Sequence, residues 1–271
     1  MKRLLPLVVF AVACGKTDAP APAPTMHEMA ITGSDYSFQA PDTVMAGVTR
    51  VTFENKGPGF HHVQFVRLDS GKTLADLQAA LKNPGPPPMW AVFSPGPNAP
   101  DPGGKMVATV DLTAGNWAII CLVDVPDATP HFARGMVHAL TVAPSTMASV
   151  PMPAADVTIE LADYSFTLST PLTAGKHVVN VVAKGPQPHE VEILKFEPGK
   201  SMEDFGKWMA KPEGPPPAHA IGGTSAQLPG QPAQFEVDLA PGDYAIVCLI
   251  PDAKDGKVHA EHGMVHPFKI G

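Results

Sequence analysis

The chain has 271 residues, 44% of them hydrophobic and 17% charged, which is globular and holds enough apolar material for one large or two ordinary cores. Its 32 prolines and 24 glycines favour short strands joined by turns over long helices. A net charge of −7, with no basic run after residue 3, excludes nucleic acid as a partner, because phosphate contacts need clustered Lys and Arg.

The first segment is an export signal. Lys2 and Arg3 form a cationic start, and Leu4 to Val12 is an apolar run too short to span a bilayer. It ends in Ala11-Val12-Ala13-Cys14-Gly15, which resembles a bacterial lipobox, with Ala11 where leucine is usual. The resemblance implies cleavage after residue 13, lipidation of Cys14 and retention at the cell envelope, periplasmic or on the outer surface. Loss of Lys2 and Arg3 would take the charge from −7 to −9. Residues 14–26, with their Ala-Pro alternation, read as an extended tether.

The remainder repeats itself. Asp35-Tyr36-Ser37-Phe38 returns as Asp163-Tyr164-Ser165-Phe166, Lys56-Gly57-Pro58 as Lys184-Gly185-Pro186, and Gly135-Met136-Val137-His138 as Gly263-Met264-Val265-His266. Matches in order at a spacing near 128 indicate a tandem duplication. The expected domains are residues 27–143 and 154–271, joined by a linker at 144–153.

Within the first copy, strands are expected at Met29–Thr32, Tyr36–Phe38, Val48–Glu54, Val63–Leu68, Lys105–Leu112, Asn116–Val123 and Met136–Val142, from alternation or β-branched and aromatic content. Thr73-Leu-Ala-Asp76 and Ser201-Met-Glu-Asp204 each have the form of a helix N-cap. The Pro/Gly-rich stretches Asn83–Gly104 and Lys211–Gly230 read as long loops, within which Gly85–Pro102 and Gly214–Pro232 either cover a site, form a docking face or serve only as stiff connectors. The expected fold is all-β: two tandem Greek-key β-sandwiches, each with one short helix in a long connection.

Each copy carries one cysteine, so neither can form its own disulfide. Cys121 is followed by His131 and Met136, and Cys248 by His259 and Met264. Thiolate, imidazole and thioether are ligand types that soft transition metals prefer, although a lone cysteine ending an apolar strand is also an ordinary small hydrophobe.

The order of these motifs resembles the cupredoxins, the family of plastocyanin-type blue copper proteins. Asn55-Lys-Gly-Pro-Gly-Phe-His61 is similar to the loop that opens the first ligand strand, with Gly185-Pro-Gln-Pro-His189 as its second copy. An aromatic residue enters the cysteine strand, as in Trp117…Cys121 and Tyr244…Cys248, and His-x4-Met follows. The resemblance implies one copper per domain, held by His61, Cys121, His131 and Met136 and by His189, Cys248, His259 and Met264. It further implies one-electron transfer with a redox partner protein, from a membrane-anchored exported carrier. The alternative is a module that buffers copper, or a metal-free fold with no redox role.

Two features depart from the family. Nine residues separate Cys121 from His131, and ten separate Cys248 from His259, where the family has two to four. After the first histidine, where the family often has asparagine, stand His62 and Glu190. No His-x-His motif occurs, and apolar residues flank both cysteines, so the sequence is read as not an enzyme.

Overall fold

The computed structural model describes residues 26–82, 87–124, 129–148 and 150–271. The signal, Cys14 and nearly all of the tether lie outside them. In the first half the strands are β1 (His27–Ser34), β2 (Ser37–Gln39), β3 (Thr43–Met45), β4 (Gly47–Asn55), β5 (Gln64–Leu68), β6 (Ala91–Ser94), β7 (Lys105–Leu112), β8 (Gly115–Ile120) and β9 (Val137–Ala143). The second half has β10 (Val157–Ala162), β11 (Ser165–Leu168), β12 (Gly175–Ala183), β13 (His189–Phe196), β14 (Ala218–Gln227), β15 (Ala233–Leu239), β16 (Gly242–Val247) and β17 (Val265–Ile270). Helix α1 (Leu74–Leu81) lies between β5 and β6, and α2 (Met202–Ala210) between β13 and β14. Both helices start with the expected cap: Thr73 and Ser201 each form a reciprocal capping box with the aspartate three residues on.

The fold is the expected all-β sandwich. In the first half β2-β1-β4-β7 faces β3-β9-β8-β5-β6, and in the second β11-β10-β12-β15 faces β14-β13-β16-β17. Alternation along the strands fills the space between the sheets. Met29, Ile31, Val51, Phe53, Phe65, Ile119, Cys121 and Met136 form the first core; Ile159, Val181, Ile193, Phe235, Ile246, Cys248 and Met264 are in the second. Each helix covers the outer face of the cysteine-bearing sheet, burying Leu77 against Val66 and Ile120, and Phe205 against Leu194 and Val247. Both cysteines therefore end a strand buried on two sides.

The Pro/Gly-rich stretches differ from expectation. They are not simply loops, since β6 and the ten-residue β14 lie in them. The sequence AHAIGGTSAQ hides a strand because two register shifts interrupt its pairing with β13. At Gly223, with φ of 152°, an added Cβ would stand 1.9 Å from the Val191 carbonyl, so only glycine permits that approach.

The two halves are welded edge to edge. Strand β7 pairs antiparallel with β15, making one eight-stranded sheet. Asp111-Leu112 and Asp238-Leu239 are repeat partners 127 apart (238 − 111), and the pairing Ala108↔Phe235 has the same separation. A residue facing its own counterpart is the mark of a two-fold arrangement, as in an isologous dimer. The bridge Pro97↔Thr224 obeys it too. Arg50 clamps Glu236 with two hydrogen bonds, of 2.5 and 2.8 Å, and Phe60 meets the Trp208 ring edge-on. The segment Gly96–Asp101, expected to cover a site or dock a partner, instead packs on the other half: Gly96 bonds Ser225, Asn98 bonds Val191 and Asp101 bonds His219.

Candidate metal centres

Each centre is assembled from three local devices. The first histidine stands at the mouth of β5 or at the start of β13, after a Gly-Pro turn. Its Nε2 is engaged by a carboxylate: His61 with Asp35 Oδ1 at 3.3 Å, and His189 with Asp163 Oδ1 at 2.9 Å. A carboxylate accepts a proton-bearing nitrogen, so each ring carries its proton on Nε2 and presents a bare Nδ1 inward. Asp35 and Asp163 belong to the Asp-Tyr-Ser-Phe repeat, where the sequence marks them only as repeat signposts. Recurrence of an acid in both copies is the signal that could have singled them out.

The second device is the hairpin after each cysteine. The His131 amide donates to Val123 O and the Phe132 amide to Cys121 O, at 2.8 and 2.9 Å. The second copy repeats this from His259 to Ile250 and from Ala260 to Cys248, both 2.9 Å. Isolated bridges Asp124↔Pro130 and Pro251↔Val258 extend the pairing. A loop of nine or ten residues thus returns to its own start, and its length does not part cysteine from histidine. Residues 125–128 within it lie outside the described residues.

The third device closes the circuit to methionine. A short 3-10 turn begins at His131 and at His259, and Gly135 (φ 104°) and Gly263 (φ 97°) end it in the left-handed region. That conformation explains the glycine before each methionine. Met136 then donates to His131 O at 3.0 Å and accepts from the Cys121 amide at 3.3 Å; Met264 does the same with His259 and Cys248. Both methionines are fully buried beside their cysteine in the core.

The donors converge. His61 Nδ1 lies 2.9 Å from His131 Nδ1, which lies 3.5 Å from Cys121 Sγ. The second centre gives 3.1 Å for His189 and His259, and 3.4 Å for His259 and Cys248. Within each trio the donor atoms all fall within 4.8 Å of one another, and all six residues are buried. Bond lengths of about 2.0–2.3 Å in a trigonal plane would put donors roughly 3.5–3.8 Å apart, so a small opening of the two rings admits an ion. Two imidazoles and a thiolate suit a borderline-to-soft transition metal.

Protonation fits the same reading. Burial pushes the Cys121 and Cys248 thiols up to about 12, so an apolar surrounding keeps them protonated until a cation arrives. Burial holds His61 and His259 below the usual imidazole value, and His131 down to about 4, so these rings are neutral and able to ligate at pH 7. Without a cation the Nδ1···Nδ1 contact must be bridged by a proton. His189 keeps its own on Nε2, so His259 donates from Nδ1 and its Nε2 is left bare. That buried Nε2 has no hydrogen-bond partner and faces the Asp252 carboxylate at 3.7 Å. Two acceptors confronting each other in the dry interior is a costly arrangement, and a cation at Nδ1 would relieve it by returning the ring proton to Nε2.

The two departures from the family pattern have a common outcome. His62 Nε2 accepts the Leu122 amide, and Glu190 Oε1 accepts the Leu249 amide, both at 2.9 Å. Each residue ties the first-histidine strand to the residue after the cysteine. Asn98, from the edge of the first half, lies near His62, and its Nδ2 donates to Glu190 Oε2 at 3.3 Å. Burial drives His62 down to about 4 and the Glu190 carboxyl up to about 7. A third group, Asp252, Asp255 and His262, lies near the second centre. Its carboxylates are already engaged by Tyr164, Gln187, His262 and the amides of Lys254 and Lys257.

No family model and no curated protein matches the chain. Solved structures do. A reduced auracyanin from Roseiflexus castenholzii is 25% identical over 45% of this chain and 99% of its own, with a TM-score of 0.29. A multicopper oxidase is 14% identical over 91% of this chain and 89% of its own, with a TM-score of 0.28. The expectation that the chain is not an enzyme is corrected here. The similar structures include that oxidase, a nitrite reductase from Thermus scotoductus and a laccase from B. aclada, which are enzymes. Among the described residues no helix is long and apolar enough to cross a membrane. The chain is an all-β protein of two-layer sandwiches.

Proposed function

We propose that the chain is an exported copper protein that transfers single electrons, with one centre in each of two tandem domains, residues 27–143 and 154–271. The observation that carries the reading is the duplicated convergence of two histidine Nδ1 atoms and one cysteine Sγ in a buried pocket. His61, Cys121 and His131 would hold one ion and His189, Cys248 and His259 the other, with Met136 and Met264 as candidate weak thioether donors. Copper supplies a one-electron couple when bound. The protein's own residues keep that couple apart from water and hold its surroundings fixed. Asp35 and Asp163 orient the first histidines, the backbone ladder fixes the second, and His62 and Glu190 pin the chain beyond each cysteine. A scaffold so braced changes little when one electron arrives or leaves, which suits electron transfer to a redox partner protein.

We further propose that Cys14 bears the lipid anchor and residues 14–26 span the gap to the membrane. Copper analysis of the dialysed protein tests the first reading: two ions per chain are expected, and one in Cys121→Ser or Cys248→Ser. No retained copper would overturn it. Detergent-phase partition of the exported protein, abolished by Cys14→Ala, tests the anchor; a wild-type protein found wholly in the aqueous phase would refute it.

A further inference from the structure

Each half carries a strained residue at the same place. Strands β1 and β2 are joined by the two-residue turn Asp35-Tyr36, between paired Ser34 and Ser37, and β10 and β11 by Asp163-Tyr164, between Ala162 and Ser165. A turn with positive φ at its second central residue usually has glycine or asparagine there. Here tyrosine takes the position, with φ of 59° at Tyr36 and 65° at Tyr164, and these two are the non-glycine residues with positive φ among the described residues. A bulky side chain in the left-handed region costs free energy that glycine would not, so a tyrosine that recurs there needs an offsetting role for its ring.

The turn reaches both histidines of its centre. Asp35 engages His61 Nε2 and Asp163 engages His189 Nε2. An added Cβ at Gly57 would strike His61 Nε2 and Asp35 Oδ1, and one at Gly185 would strike Asp163 Oδ1 and His189 Nε2, so the turn closes on the first-histidine loop without a gap. The tyrosine ring meets the other histidine edge-on, Tyr36 with His131 at 5.3 Å between centroids and Tyr164 with His259 at 5.5 Å. Burial deepens inward: Tyr36 is 39% exposed, His131 beneath it 5% and Cys121 beyond that 0%. Tyr164 is held further by its hydroxyl, which donates to Asp252 Oδ2 and accepts from Gln187 Nε2 at 3.4 Å.

Resting on the reading that each trio holds a metal, we infer that the Asp-Tyr turn is the cover of each metal pocket, and that Tyr36 and Tyr164 are positioning residues that govern how fast an ion enters and leaves. The Nδ1 and Sγ donors face one another inside, and the turn lies on the outer side of both rings. An ion that reaches the donors from this side must displace the turn. The aspartate sets how the first imidazole points, while the tyrosine ring packs on the second and keeps water off it. Because the tyrosine disfavours its own backbone conformation, the cover is held shut by its ring contacts and not by its turn.

The Cys121 thiol reports on the cover without any metal. In metal-free protein bearing Cys14→Ala and Cys248→Ser, Cys121 is the one cysteine left, and its modification by methyl methanethiosulfonate is followed by mass. Tyr36→Gly is expected to react about tenfold faster while its thermal unfolding temperature holds or rises, because the turn gains the residue it prefers and the pocket loses the ring that covers it. Tyr36→Phe, which keeps the ring, is expected to stay within about threefold of the parent. Transfer of Cu(I) from the loaded proteins to an excess of chelator should follow the same order. Unchanged thiol protection in Tyr36→Gly, a loss of protection that tracks a lowered unfolding temperature, or an equal loss in Tyr36→Phe would overturn the inference. Failure of every protein to take up copper would instead overturn the metal reading, and the thiol rates would still decide whether the turn covers the pocket.

Discussion

Glu190 offers a quantitative test of the contact between the halves. Its carboxyl is buried among Asn98, the Leu249 amide and the core of the second half, and burial pushes it from 4.5 up to about 7. Between those values the folded protein holds a proton that the unfolded chain has lost. The stability this group contributes is therefore full below pH 4.5 and is lost as pH rises through 7. A rise of about 2.5 units corresponds to roughly 3 kcal/mol. Glu190→Gln keeps an oxygen to accept the Leu249 amide and cannot ionise. Urea unfolding of the metal-free wild type and variant, at pH 4.5 and at pH 8, isolates the effect, because any constant cost of the amide cancels in the difference between the two pH values. The variant is expected to gain about 3 kcal/mol on the wild type over that interval. Parallel pH profiles for the two proteins would refute the burial argument.

Other outcomes follow from the same structure. Asp35→Ala and Asp163→Ala each remove the group that fixes a first-histidine tautomer, and should weaken metal binding at their own centre by about 10–100-fold, measured by competition with a chelator. With the Cys121 thiol pushed up to about 12, His61 held low and His131 down to about 4, an ion bound at the first centre at pH 7 (in Cys248→Ser) should release one proton, from cysteine and not from histidine, measured as acid released into weakly buffered solution. Gly223→Ala puts a Cβ against the Val191 carbonyl and should cost at least ~3 kcal/mol by chemical denaturation, by displacing β14 from β13.

Most of the sandwich was legible because its strands alternate. β4, for instance, buries Val48, Thr49, Val51, Phe53 and Asn55 and turns the residues between them outward. The helix caps were legible because the Thr73–Asp76 and Ser201–Asp204 pairs act over four residues, without tertiary help. β14 was not, since Gly223 answers to the close approach of Val191, which no local pattern reveals. Nor was the junction of β7 with β15, because an edge strand looks the same in sequence whether it meets solvent or its own repeat. At the centres, donor types and order were plain in the sequence. The ladder that folds the long cysteine-to-histidine loop back on itself was not, because it is made of backbone groups. Asp252 was invisible for a different reason: comparison of the repeats directs attention to what they share.

The central claim is that each trio holds copper through its cysteine. A visible absorption spectrum of the mature protein loaded with two equivalents of Cu(II) tests it most directly. The structure predicts an intense thiolate-to-copper charge-transfer band that falls by about half in Cys121→Ala or in Cys248→Ala and vanishes when both are changed. A loaded protein with no such band, or a band that survives loss of both cysteines, would contradict it.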